Sequence, residues 1–168
     1  MSVFRICTLL AVGILGLLSC GLNPEESSPP APTMPLQLLN AARDTVVVNG
    51  VEYCATISPW RDFMPGPNTS LDGKGLLVHT SLQRCDSLSI PENLHLKFLW
   101  VIYNNEVWGA VLGEESTPYN ADFRREAMAR GGPKWGPSVD VRGVIGFADE
   151  HGEFHMVCTP PIMIGRTD

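Results

Sequence analysis

Asp149, Glu150, His151, Glu153 and His155 stand within seven residues of one another. Carboxylates and imidazoles at such spacing are the ligand types of a divalent metal site. On one continuous strand Asp149, His151, Glu153 and His155 would point the same way and converge on an ion. Gly152 opposes that geometry, because Glu-His-Gly-Glu reads as a turn and a turn breaks the alternation. The expectation is therefore an exposed hairpin tip without a metal. His151, Glu153 and His155 are the alternative ligand set, for a metal-dependent hydrolase or a metal-binding protein.

A second cluster is Trp60-Arg61-Asp62-Phe63-Met64-Pro65, set between Pro59 and Pro65. If Trp60 and Phe63 were exposed beside Arg61, the segment would suit a protein or glycan contact. Alternatively Arg61 and Asp62 tie a loop while Phe63 and Met64 plug one end of the fold. The structural reading is favoured, since a loop must bury something to hold its shape. The chain has no G-x-S-x-G, P-loop, G-x-G-x-x-G or H-E-x-x-H pattern. No catalytic residue and no cofactor are expected, and the chain reads as a non-enzymatic module. Trp100, Trp108 and Trp135 read as core or half-core, with Trp135 covering a sheet edge from the rigid Gly132–Pro137 connector.

These residues need elements to position them. Short β-like runs separated by turn residues begin at about Asp44. Thr45–Val48 and Val51–Ser58 flank Asn49-Gly50, a two-residue hairpin signal. Gly73–Cys85 places Leu76, Val78, Thr80 and Leu82 on one parity. Leu94–Tyr103 places Leu94, Leu96, Phe98, Trp100 and Ile102 on one face, with the other face half apolar. Asn104-Asn105 turns it into Glu106–Gly113. Val139–Ala148 and Glu153–Cys158 follow, and Ile162–Arg166 closes the chain. Ala121–Arg130, capped by Asn120 and ended by Gly131-Gly132-Pro133, predicts one short helix. The pattern predicts an all-β fold: an antiparallel two-sheet sandwich of seven or eight strands, Ig-like in strand count only.

The formal net charge is −6 and there is no basic run. That excludes nucleic acid as a partner and argues against electrostatic docking on anionic lipid, since both need clustered Lys and Arg.

The start of the chain supplies an address. Arg5 precedes an apolar run, Ile6–Leu18, too short to span a bilayer but of signal-peptide length. Leu17-Leu18-Ser19-Cys20 then resembles the lipobox of bacterial lipoproteins. The resemblance implies cleavage before Cys20, lipidation of the Cys20 thiol and fatty acyl chains as the membrane anchor. It implies residence on the periplasmic or cell-surface side of a membrane. Gly21, in place of the Asp that retains such proteins at an inner membrane, leans toward an outer membrane. Domain organisation is then a leader over 1–19, a lipidated Cys and Pro/Ser-rich linker over 20–43, and a β-sandwich over 44–168. Within the linker, Gly21–Pro35 reads as an extended tether with no packed core. The partners expected are the membrane, through the lipid, and another envelope protein.

Cleavage and acylation would leave Cys54, Cys85 and Cys158, an odd number for an oxidising compartment. Cys54 and Cys85 sit on outward parities, so a bridge between neighbouring strands and no bridge at all are both open. Cys158, on the parity of Phe154 and Met156, reads as a buried thiol on the inward side.

Trp60–Pro65, the run Trp100–Trp108, Gly131–Pro137 and the closing Ile164–Asp168 together resemble a family of small bacterial envelope proteins with no assigned activity. The resemblance covers most of residues 50–168. It implies a β-domain and carries no mechanism.

Overall fold

The computed structural model describes residues 27–66, 71–113 and 122–168. The expected leader over 1–19, Cys20, Gly21–Glu26 and Asn120-Ala121 lie outside the described residues.

Two five-stranded sheets face each other. Sheet 1 contains β1 (Thr45–Val48), β2 (Val51–Asp62), β3 (Leu76–Arg84) and β6 (Arg124–Gly132), in the order β1-β2-β3-β6. Sheet 2 contains β4 (His95–Tyr103), β5 (Glu106–Val111), β7 (Asp140–Ala148) and β8 (Phe154–Cys158), in the order β5-β4-β7-β8. Two short strands complete them. β9 (Ile162–Met163) pairs with the start of β7, and β10 (Gly165–Thr167) runs parallel to the end of β2. The other strand pairs are antiparallel, as the sequence predicts.

Turn chemistry fixes two registers. Asn49 and Gly50 take φ of 51° and 79°, the left-handed pair that a two-residue hairpin needs, and Val48 faces Val51. Asn104 and Asn105 do the same at 45° and 68°, setting Tyr103 against Glu106. Between the sheets lies one core, built from Tyr53, Ala55, Ile57, Leu76, Val78 and Leu82 on one side and Leu99, Val101, Ile145, Phe147 and Val157 on the other.

Three features differ from the sequence reading. In the described part of the predicted helix over 121–130, Arg124–Arg130 belong to strand β6. Its residues favour helix locally, but β3 offers an unpaired edge, and Ala127 and Ala129 alternate into the core while Thr80 donates to the Ala127 carbonyl at 2.8 Å. Tertiary pairing overrides propensity there. Second, a register shift between Leu96 and Phe98 switches the parity of β4. Leu94, Leu96, Leu99 and Val101 face the core, whereas Phe98, Trp100 and Ile102 face the opposite side of sheet 2. Third, Phe154, Met156 and Cys158 share that outer side, so Cys158 is buried as expected but not between the sheets.

What covers the outer face of sheet 2 is the segment read as linker. The short helix of this fold is α1 (Leu36–Asn40), and the chain leading to it lies along both sheets' edges. Ser28 N–H donates to the Arg130 carbonyl of β6, and Ala31 N–H donates to the Gly109 carbonyl of β5. Trp100 Nε1 donates to the Pro32 carbonyl at 3.0 Å. Leu39 is fully buried with Trp100, Val144 and Cys158. Residues 27–43 thus form a strap, held because the parity switch in β4 leaves Phe98 and Trp100 in need of cover.

Candidate functional site

The polar cluster predicted at the β7–β8 connection is assembled by a single carboxylate. Asp149 follows the last residue of β7 and is 5% exposed. Its Oδ1 accepts the backbone N–H groups of His151 and Glu153, both at 2.9 Å. Its Oδ2 lies 2.9 Å from His155 Nε2. His155 points inward at the end of the sandwich and packs its ring on Phe147, with centroids 5.4 Å apart. These contacts hold the Asp149 carboxyl below the usual aspartate range: the His155 hydrogen bond contributes most, and the N–H groups of Glu153 and His151 outweigh, with it, the opposing effect of burial.

One ligand atom each from Asp149, Glu153 and His155 lies within 4.8 Å of the others. His151 does not join them. The turn carries it outward, where its ring is exposed and 3.6 Å from Glu150. The alternative ligand set of the sequence reading, His151, Glu153 and His155, is corrected to Asp149, Glu153 and His155. The sequence signal was present: an Asp followed by a Gly-containing turn is an Asx-type cap, which draws the carboxylate back over its own backbone. Beside the cluster a shallow depression is lined by Val48, Asn49, Tyr53, Leu94, Asp149 and Glu150, so the β1–β2 turn forms its far wall. Chemically, the arrangement offers two carboxylates and an imidazole, of which Asp149 also lines that depression, with Glu153 exposed to solvent.

The Trp60–Phe63 cluster is a knot. β2 continues through Pro59 to Asp62, because β10 supplies a parallel partner along Trp60, Arg61 and Asp62. Arg61 is 1% exposed. Its Nε donates to the Lys74 carbonyl at 3.0 Å, and Nη1 donates to the carbonyls of Lys134 and Gly136 at 3.2 and 2.8 Å. Nη2 donates to the Asp72 carbonyl. Asp62 binds Lys74 Nζ at 2.7 Å and the Met64 N–H at 2.9 Å, and these hold its carboxyl below the usual range. The Phe63 ring lies between the guanidiniums of Arg61 and Arg166, 4.9 and 4.2 Å from its centroid. Trp60 and Phe63 are half-buried, and Met64 is exposed rather than plugging the end of the fold. Sequence could not name Arg61's partners, which are main-chain carbonyls 11 to 75 residues away.

The remaining aromatic and thiol candidates are placed as follows. Trp135 packs on Tyr103 and donates Nε1 to Glu106 at 3.0 Å, closing the β4–β5 end. Cys158 Sγ donates to Asp44 Oδ1 at 3.0 Å, and burial is the chief cause that pushes its pKa up. Cys54 and Cys85 lie together on sheet 1's outer face, and the Cys85 thiol is pushed up to about 11, first by desolvation and then by its hydrogen bond with Cys54. The candidate lipidation residue, Cys20, lies outside the described residues.

No family model, no curated protein and no solved structure matches the chain.

Proposed function

We propose that the chain is a lipid-anchored protein of a bacterial envelope whose β-sandwich acts as a non-enzymatic binding or structural module. The observation that carries this reading is Leu17-Leu18-Ser19-Cys20 behind a charged start and a short apolar run. Two or three acyl chains give firm membrane attachment, at roughly 0.8 kcal/mol per buried methylene. The strap refines the picture. Ser28 is already bonded to the sandwich, and Ser27 lies against Gly131, so no more than residues 21–26 can lie between Cys20 and the packed chain. Seven residue steps reach at most about 25 Å. The module rides close to the bilayer, with the β5 and β6 edges, where Ser28 and Ala31 attach, on the anchored side.

The module reading is also supported by the use of the polar clusters. Arg61 and Asp62 spend their hydrogen bonds on holding loops, and Trp60 is left as the half-exposed contact residue. Growth of an expressing bacterium with an alkyne-tagged fatty acid tests the anchor. Label is expected on the full chain and lost with Cys20→Ser, together with release from the membrane fraction. An unlabelled mature protein, or a Cys20→Ser variant that keeps both label and membrane, overturns the reading.

A second reading, metal binding with or without hydrolysis, is favoured by one observation: the convergence of Asp149, Glu153 and His155. Their two oxygens and one nitrogen suit a borderline cation such as Zn²⁺, with remaining positions left for water. Elemental analysis of the purified full chain decides it. A stoichiometric metal that is lost in His155→Ala supports this reading, and a chain that takes up no Zn²⁺ at micromolar concentration removes it.

A further inference from the structure

We propose that Cys54 and Cys85 are a disulfide site and that Cys158 is excluded from it, so that of the three possible pairings among the described cysteines the fold permits one.

The strand register brings the first two together. On β2, Tyr53, Ala55 and Ile57 point into the core, which turns Cys54 outward. Cys54 faces Gln83 on β3. The ladder then runs one step past the end of β3, since the Cys85 N–H donates to the Glu52 carbonyl at 3.0 Å. Cys85 therefore sits two residues beyond Cys54's direct partner, on the same outer face, as a diagonal neighbour. Diagonal positions inside a regular ladder are wide for a disulfide. Cys85 is the last residue on that ladder and is not held by strand on its far side: the chain turns at once after it, with Ser87 at φ 59° and its N–H donating to the Arg84 carbonyl. Cys54 is also among the neighbours that push up the Cys85 thiol, and Gln83 Nε2 lies 3.5 Å from Cys54 Sγ.

The third cysteine is held apart. Cys158 belongs to the outer face of sheet 2, fully buried beneath the strap with Leu39, Trp100 and Val144. Its thiol is committed to Asp44 and points away from the face that carries Cys54 and Cys85. An odd cysteine is harmless when it is sealed, and the exposed pair can then close without a competitor.

Closure converts two thiols to one S–S bond and releases two protons and two electrons. The acceptor is a disulfide donor, either a dithiol oxidase or a small disulfide such as oxidised glutathione, which leaves as two thiols. Because the Cys85 thiol is hard to ionise, the spontaneous reaction is slow and exchange with such a donor is the effective route. Occupancy of the site in cells rests on the export proposed above. The chemistry of the site does not.

Two measurements separate these. The reduced full chain, in detergent, is equilibrated with mixtures of reduced and oxidised glutathione, then alkylated and mapped as peptides. A Cys54–Cys85 peptide, lighter by two hydrogens than the reduced pair, is expected, with Cys158 alkylated only after denaturation. Persistence of free Cys54 and Cys85 in excess oxidised glutathione, or any bridge that includes Cys158, overturns the proposal. The same mapping is done on protein taken directly from cells. A pair that closes in glutathione but is fully reduced in cells supports the site and counts against the compartment instead. As a control, dithiothreitol is expected to lower the thermal midpoint of the oxidised chain and to leave a Cys54→Ser/Cys85→Ser chain unchanged; equal shifts in both overturn the proposal.

Discussion

At the scale of single residues, two buried polar groups organise their surroundings in different ways. Arg61 spends its guanidinium on main-chain carbonyls at Asp72, Lys74, Lys134 and Gly136. Its acidic neighbour contributes little, because the Asp72 carboxylate is 3.7 Å away and 68% exposed. Arg61→Lys is therefore expected to destabilise the fold by about 3–5 kcal/mol, since an ammonium cannot span that fork and carbonyls are left unpaired. Asp72→Ala is expected to cost less than about 1 kcal/mol. Urea unfolding of both variants checks this, and equal losses would mean that the ion pair, not the carbonyl fork, holds the loops. Asp149 is a titrating group with a direction. Its folded-state pKa is depressed, so its contribution is fully present above the ordinary aspartate value of about 4 and disappears as pH falls through the lower folded value. Stability of the native chain is expected to drop below about pH 4, and Asp149→Asn is expected to flatten that acid limb. Parallel acid limbs in the two proteins would show that the carboxylate is not linked to folding. The sequence exposed the residue types of both groups but not their partners. Asp149's bonds are local and readable as an Asx turn, whereas Arg61's come from loops that only the folded chain brings near.

Elements show where periodicity suffices and where it misleads. β1, β2, β7 and β8 were legible because β-branched runs end in turn residues with positive φ or in Gly. β6 was not, since Arg124-Arg125-Glu126-Ala127-Met128-Ala129-Arg130 is a good helix sequence and its strand state is imposed by the β3 edge. The two faces of β4 were legible in composition, yet their assignment reversed midway, because a bulge carries no signature in a strand apolar on both sides. That reversal creates the second cluster and gives the proline-rich segment a surface to lie on. Proline density alone says extended chain; residues 27–35 carry no helix or strand beyond a single bridge from Pro30 to Ala110, and what proline density could not say is that this chain docks. Leu39 is the test of that docking, being fully exposed only if the strap lifts. Leu39→Ala is expected to cost about 2–5 kcal/mol, the range for a fully buried leucine, and to red-shift the emission of Trp100 beneath it. A variant with unchanged stability and emission would show that the strap is a tether after all.

For the whole molecule the decisive question is what makes two sheets one cooperative unit. The core between them supplies most of the coupling, but the edges are closed by chain that belongs to both. At one side Ser28 bonds β6 of sheet 1 and Ala31 bonds β5 of sheet 2. At the other, β9 pairs with β7 and β10 pairs with β2 across a single intervening residue, Ile164, which is 1% exposed and sits in the main core. Its N–H donates to the Val139 carbonyl and its own carbonyl accepts the Ser138 N–H, so side chain and backbone are both committed. Ile164→Ala removes the apolar pin at the point where the chain crosses from one sheet to the other, with an expected loss of about 2–5 kcal/mol. Met163→Ala, one residue earlier and 58% exposed, is expected to change little. Native-state hydrogen exchange distinguishes a pin from a frayed end. If the closing segment couples the sheets, amides of β3 and β4 lose protection by the same free energy in Ile164→Ala. If only Ile162–Thr167 loosens while β3 and β4 keep their protection, the closing strands are an appendage, and the two sheets are held together by the central core alone.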